Sequence, residues 1–131
     1  MRYSMQMNDK YFEKFLGLFF RLFNGHIERV NIEANKITGV ISYEDESGKQ
    51  AFSWNKSNLN ITADAIKLLE YIINKNLVRG DKIILSKENL VSELKKIDWK
   101  ENEANNSINL LLNIKIRMID DGIETDSFFH F

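Results

Sequence analysis

Residues 37–54 read ITGVISYEDESGKQAFSW, a run that predicts two β-strands on either side of a polar turn. Apolar side chains alternate with small or polar ones on both sides of the turn, which is the period of a strand with one buried face. The β-branched segment 26–32 precedes this run and predicts a third strand, so the three strands form an antiparallel meander. Such a sheet needs one covered face to be stable. The face predicted to be buried carries Ile37, Ile41, Tyr43, Phe52 and Trp54.

The segment before the meander predicts the helix that covers this face. Asn8 or Asp9 can cap the free amide groups of its first turn. Asn24 and Gly25 end the helix, and the glycine is suited to the left-handed position after the last turn. The apolar side chains at helical spacing form one broad stripe, made of Phe12, Phe15, Leu16, Phe19, Leu22 and Phe23.

A polar stretch at residues 55–60 separates the meander from a helical half of the chain. Thr62 offers the N-cap of a second helix that Arg79-Gly80-Asp81 closes, and Ser86 caps a third helix. A fourth helix is predicted over 100–119, and 123–131 reads as a terminal strand. We therefore predict an α+β fold: a helix on a three-stranded meander, then a three-helix half with a terminal strand. Residues 1–131 are expected to form a single domain with sub-regions 1–54 and 62–131.

The order of elements in residues 62–131 is helix, short strand, helix, turn, longer helix and strand. The short strand or extended link lies at 82–85, Leu90 and Leu94 mark the following helix, and Asp121-Gly122 precedes the aromatic residues 128–131. This order resembles a winged helix, with one wing strand before the sequence ends. The resemblance covers about half of the chain and implies a regulator that binds nucleic acid.

The charge of this half argues against nucleic-acid binding. Residues 62–131 hold ten basic and twelve acidic side chains, a difference of −2, whereas phosphate contacts supply most of the affinity for nucleic acid. The helix that would read the groove opens with Glu101 and Glu103. Asparagine can pair with adenine, however, and nucleic-acid binding is kept as the alternative function. That alternative would use Lys95, Lys96, Lys100, Asn102, Asn105, Asn106 and Asn109.

The sequence lacks the usual signatures of an enzyme. It has no cysteine, and its two histidines, His26 and His130, are not at a metal-binding spacing. The six glycines form no phosphate-binding loop, and no Gly-x-Ser-x-Gly motif presents a serine nucleophile. The acidic clusters at 44–46 and 120–121 lie in predicted turns, where acidic residues are common for backbone reasons. We therefore predict a non-enzymatic protein without metal or cofactor.

The composition favours a cytoplasmic protein. Residues 1–9 have no apolar core of a signal peptide, and the most apolar stretch, 15–23, is far below the roughly 20 residues that span a bilayer. A net charge of −1 attracts the chain neither to a membrane nor to nucleic acid. The abundance of isoleucine, asparagine and lysine is typical of AT-rich coding DNA, which often belongs to mobile elements.

The aromatic residues 128–131 favour a protein-binding function. In a strand, Phe129 and Phe131 would face one way, and Phe128 and His130 the other, so both faces would carry an aromatic ring. We predict a module of the immunity or inhibitor type that binds a protein partner or forms a homodimer. The candidate interface residues are Phe128, Phe129, Phe131, Glu44, Asp45 and Glu46.

Overall fold

The computed structural model describes residues 7–43, 48–55 and 61–131, with side-chain environments from residue 11 onward. The predicted α+β class is confirmed, because the described residues hold four helices and a five-stranded antiparallel sheet. The elements are α1 Met7–Arg21, β1 Gly25–Ile32, β2 Lys36–Tyr43, β3 Lys49–Asn55, α2 Ala63–Asn74, β4 Val78–Arg79, β5 Lys82–Ile83, α3 Lys87–Lys95, α4 Glu101–Asn113, β6 Ile116–Asp120 and β7 Ile123–Ser127.

Strands from both predicted sub-regions join in the large sheet, whose order is β1-β2-β3-β6-β7. β3 and β6 pair through Phe52 opposite Met118 and Ser53 opposite Arg117. β6 then turns into β7 at Asp121-Gly122, where both residues have positive φ, 49° and 80°. β4 and β5 form a separate two-stranded hairpin.

One face of the large sheet carries an aromatic core against α1. The register sets Ile37 opposite Trp54 and Gly39 opposite Phe52, which places the side chains of Ile37, Trp54 and Phe52 on the same face. The ring of Phe12 lies 4.9 Å from that of Trp54, and the ring of Phe20 lies 4.8 Å from that of Phe52. Offset or edge-to-face pairs at these distances stabilise a core beyond the apolar area that they bury.

The predicted caps of α2 and α3 are confirmed, whereas Asn8 and Asp9, predicted to cap the first helix, lie within α1, which begins at Met7. The Thr62 hydroxyl oxygen accepts a hydrogen bond from the Ala65 amide at 3.1 Å, and the Ser86 hydroxyl oxygen accepts one from the Asn89 amide at 3.2 Å. Each bond satisfies an amide group that the first turn of a helix leaves without a partner.

The predicted fourth helix over 100–119 is wrong in its second half. α4 ends at Asn113, and residues 116–120 form β6. Ile116 and Met118 are buried while Arg117 between them is exposed, which is the period of a strand. Asp121-Gly122 is therefore a hairpin turn and not the end of a helix.

Two other boundaries differ from the sequence prediction. Asn24, with φ 58°, takes the left-handed position after α1 that the sequence predicts for Gly25. α2 ends at Asn74, before 79–81, because residues 78–83 form the β4–β5 hairpin around Gly80. Asparagine tolerates the left-handed region and glycine adopts it without strain, so either residue can end an element.

The predicted terminal strand over 123–131 is also wrong in part. β7 ends at Ser127, and beyond it His130 forms an isolated parallel bridge with Lys82. Phe129 is 1% exposed, and its ring lies 5.2 Å from that of Phe19, whereas Phe128 and Phe131 are each 37% exposed. Phe129 and Phe131 therefore do not share one environment, because Phe129 fills the core of its own chain.

Removing an aromatic ring from the core should strongly destabilise the fold. Trp54 and Phe19 are each 1% exposed, so Trp54→Ala or Phe19→Ala should lower the free energy of unfolding by about 3–5 kcal/mol. Urea unfolding measures this loss. Ile97→Ala is the control, since Ile97 is 50% exposed and its truncation should cost no more than about 0.5 kcal/mol. Equal stability of all three variants would show that Trp54 and Phe19 do not lie in a core between α1 and the large sheet.

Two glycines should respond in opposite ways to alanine. A Cβ atom at Gly39 would collide with the Arg29 carbonyl oxygen and lie 2.8 Å from the Phe52 ring, so Gly39→Ala should destabilise by about 1–3 kcal/mol. A Cβ atom at Gly17 in α1 has no neighbour within 4 Å, so Gly17→Ala should stabilise by about 0.5–1 kcal/mol. Thermal unfolding of both variants checks the signs. A higher melting temperature for Gly39→Ala would contradict the close approach of Gly39 to the Arg29 carbonyl oxygen and the Phe52 ring.

Candidate functional site

Backbone hydrogen bonds fix the chain after β7 against β5. The Ile83 amide donates to the His130 carbonyl at 2.7 Å, and the His130 amide donates to the Asp81 carbonyl at 3.0 Å. His130 Nε2 also lies 3.2 Å from Asp81 Oδ1. These contacts attach His130 to the β4–β5 hairpin, and the burial of Phe129 attaches its neighbour to the core.

This arrangement leaves two phenylalanines partly in solvent. Phe128 lies 6.3 Å from the His130 ring, and the Lys115 ammonium lies 5.5 Å from the Phe128 ring centroid. Phe131 is the other partly exposed ring. We call Phe128, His130 and Phe131 the tail surface. It offers aromatic contact area on a fixed backbone.

A second surface is a groove of about 490 Å³ at the junction of β2, β3, β6 and the end of α4. Three cationic side chains line it, together with the carboxylate of Asp126 and the carboxamides of three asparagines. We call this the basic groove, and its lining residues are Asn35, Lys36, Ser53, Trp54, Asn55, Asn113, Lys115, Arg117 and Asp126.

The ion pairs at the basic groove are long and exposed. Arg117 Nη1 lies 3.4 Å from Glu124 Oε2, and Arg117 Nε lies 3.8 Å from Asp126 Oδ1. Lys36 Nζ lies 3.8 Å from Glu33 Oε2. Pairs of this kind contribute little to stability, so the cations are available to other anions.

The outer face of β1, β2 and β3 carries a small ionic network. Hydrogen bonds from Ser42 and then from Lys49 hold the pKa of the Glu28 carboxyl below its usual value. Lys49 Nζ lies 3.3 Å from Glu28 Oε2, and His26 Nε2 lies 2.8 Å from Ser42 Oγ. A lowered pKa keeps this carboxylate ionised at neutral pH, as in a surface ion pair, and does not poise it for proton transfer.

The residues predicted for nucleic-acid binding lie on α3, α4 and the connection between them. Lys95, Lys96 and Glu101 line one shallow pocket with Glu88, and Lys96 Nζ lies 3.1 Å from Glu93 Oε1. Carboxylates therefore alternate with the lysines on this face. Lys100 is the exposed N-cap residue of α4, and the asparagines have mixed positions: Asn102, Asn106 and Asn109 are exposed, whereas Asn105 is half-buried.

Two of these asparagines are engaged within the protein. Asn102 Oδ1 accepts a hydrogen bond from the Glu103 amide at 3.0 Å, and Asn109 Oδ1 accepts one from Lys87 Nζ at 3.2 Å. The acidic residues Glu44, Asp45 and Glu46, predicted for a protein interface, lie outside the described residues.

Sequence reasoning missed the basic groove because its residues are distant in the chain. Lys36 begins β2, Arg117 lies in β6, and only the β2–β3–β6 pairing brings them together. The one available signal was the alternation of Ile116, Arg117 and Met118, which indicates a strand that needs a partner.

Within the described ranges, the structure has no cluster of three or more histidine, cysteine or acidic side chains that could hold a metal ion. No helix in that part of the chain has the length and apolarity to cross a bilayer. Comparison with protein-family models, curated proteins and solved structures found no match to this chain.

Proposed function

We propose that this chain is a non-enzymatic protein-binding module that makes contact through its tail surface. The observation that carries the proposal is the pair of phenylalanines, Phe128 and Phe131, that stay 37% exposed on a backbone fixed by hydrogen bonds. An aromatic side chain on a fixed backbone loses little conformational entropy on binding, and such side chains are enriched at the centre of protein interfaces.

The neighbouring edge of the sheet supports the same proposal. β7 is the last strand in the sheet order, and Ile123 at its start is 68% exposed. An edge strand offers unpaired amide and carbonyl groups that a second strand can join. Glu124 and Asp126 lie on this edge strand, and their charges restrict which partners can approach.

We take a second copy of the chain as the first partner to test, because a closed two-fold contact is the usual way to cover such a surface. The proposed class is a small cytoplasmic immunity or inhibitor protein of a mobile element. The composition that is typical of AT-rich DNA and the low net charge of −1 support this class.

Self-association should depend on the tail surface. Phe128→Ser with Phe131→Ser should weaken dimerisation at least about tenfold, because the loss of two buried rings exceeds 1.4 kcal/mol. Sedimentation equilibrium over a concentration series measures this. The control is Ile97→Ser, which removes an exposed apolar side chain elsewhere and should leave association unchanged. A strict monomer in the wild type would rule out the homodimer, and unchanged association in the double variant would rule out this surface.

A winged-helix-like regulator that binds nucleic acid is the second candidate. The observation in its favour is the order α2, β4, β5, α3, α4, β6, β7, since a two-stranded hairpin follows the longest helix of this half. Against it, β6 pairs with β3, so the hairpin is part of the large sheet and not a separate wing. Glu101 and Glu103 also occupy the first turn of α4, where phosphate would be repelled.

Duplex DNA separates the two candidates. We expect fluorescence anisotropy with a labelled random duplex to show no affinity beyond the non-specific range of about 10⁻⁴–10⁻⁶ M. The variant Lys95→Gln with Lys96→Gln should behave as the wild type. Tighter binding that this variant weakens at least about tenfold would instead favour the nucleic-acid function.

A further inference from the structure

We propose that the basic groove binds a small phosphate monoester whose remaining part carries hydroxyl or other hydrogen-bonding groups, as in mononucleotides and sugar phosphates. This proposal does not rest on the proposed protein-binding function, although Lys115 of the groove also contacts Phe128 of the tail surface. Lys36, Lys115 and Arg117 would hold the phosphoryl group, and the carboxamides of Asn35 and Asn113 would contact the remainder of the ligand.

The lining of the groove is richer in cations than the chain as a whole. It has three cations and one carboxylate, a difference of +2, in a chain of net charge −1, and Glu33 and Glu124 beside the lining pair with Lys36 and Arg117. The cations come from three places in the fold: the start of β2, the link between α4 and β6, and the middle of β6. Lysine and arginine side chains that converge on one concave surface are the usual partners of phosphate.

The cations are not committed to strong internal pairs. Among the described residues, Lys115 has no carboxylate within 4.0 Å, and its recorded contact is the Phe128 ring. Lys36 and Arg117 each pair with carboxylates at N–O distances of 3.4–3.8 Å. A charge-assisted hydrogen bond is shorter, at about 2.7–2.9 Å. A phosphoryl group can therefore replace these pairs with shorter contacts.

The end of α4 is the main unfavourable feature for an anion at this position. A helix carboxyl terminus carries the equivalent of about half a negative elementary charge. Lys115, two residues after the end of α4, has no carboxylate within 4.0 Å among the described residues, and its charge opposes that of the helix end. Asn113 Nδ2 also donates to the Asn109 carbonyl at 2.8 Å, which occupies one carbonyl near this end.

The size of the groove favours a ligand larger than inorganic phosphate. Its volume of about 490 Å³ lies in the range of about 300–1,000 Å³ that is typical of small-molecule sites. A bare phosphate would leave most of this volume to water. Carboxamides donate and accept hydrogen bonds at once, so they suit hydroxyl groups or base edges and not an apolar chain.

The test titrates the ¹⁵N-labelled full chain with adenosine monophosphate, glucose 6-phosphate, inorganic phosphate and adenosine, followed by amide chemical shifts at low salt. We expect AMP, glucose 6-phosphate or both to shift the amides of Lys36, Lys115 and Arg117, with weaker effects from phosphate and none from adenosine. Binding of AMP alone would identify a nucleotide site, and binding of both esters would identify a general phosphate-ester site.

Lys36→Gln with Lys115→Gln should weaken binding of the ester at least about tenfold, since two charge-assisted contacts are lost. Lys95→Gln with Lys96→Gln removes the same charge from the α3 surface and should change affinity less than about twofold. Phe131→Ser should leave ester binding unchanged, which keeps this site distinct from the tail surface. Circular dichroism verifies that the variants are folded, and all four side chains removed in the lysine variants are exposed.

Four outcomes would overturn the proposal. One is the absence of amide shifts with both esters, and another is equal weakening by the two lysine variants, which would indicate diffuse charge attraction. Adenosine that binds as tightly as AMP would remove the role of the phosphoryl group. Equally tight binding of inorganic phosphate and the esters would show that the asparagines do not contribute to the affinity.

Discussion

The pairing of β3 with β6 is the constraint on which the rest of the structure depends. Backbone contacts from Ala51, Phe52 and Ser53 to Ile119, Met118 and Arg117 bring two segments more than sixty residues apart into one sheet. Closing such a long loop costs entropy, so the pairing must be supported by burial on the same face. Phe52 and Met118 supply that burial, and Arg117 on the opposite face is thereby carried to the basic groove.

The aromatic core extends this constraint to the end of the described chain. Phe19 contacts Phe15, Phe20, Phe23 and Phe129, so a ring near the start of the chain meets one near its end. Burial of Phe129 fixes the backbone of its neighbours, because successive side chains of an extended segment point to opposite sides. Phe128 is therefore held outward by the same contact that holds Phe129 inward. The tail surface is a consequence of the core.

Sequence patterns correctly predicted those features of the fold that depend on residues close together in the chain. Thr62 and Ser86 cap helices through their own hydroxyl groups, and the alternation that ends at Trp54 belongs to one strand. The fourth helix was predicted to run too far because the apolar residues from Ile108 to Ile119 fit a helix as well as a strand. No glycine or proline separates α4 from β6. The basic groove is formed by residues that are far apart in the chain, because Lys36 and Arg117 become neighbours only through the pairing of distant strands.

The same pairing weakens the inference from a winged-helix order of elements to nucleic-acid binding. A wing contacts phosphates because it projects beyond its helices, but here β6 is an interior strand of the sheet. The outer strand of this hairpin, β7, carries Glu124 and Asp126 and no lysine or arginine that could contact a phosphate backbone. On the helical side, Glu93 and Glu101 lie among Lys95 and Lys96 and reduce the positive field of that face. Element order describes how a chain folds, whereas partner choice follows from the charges and rings that the folded chain presents.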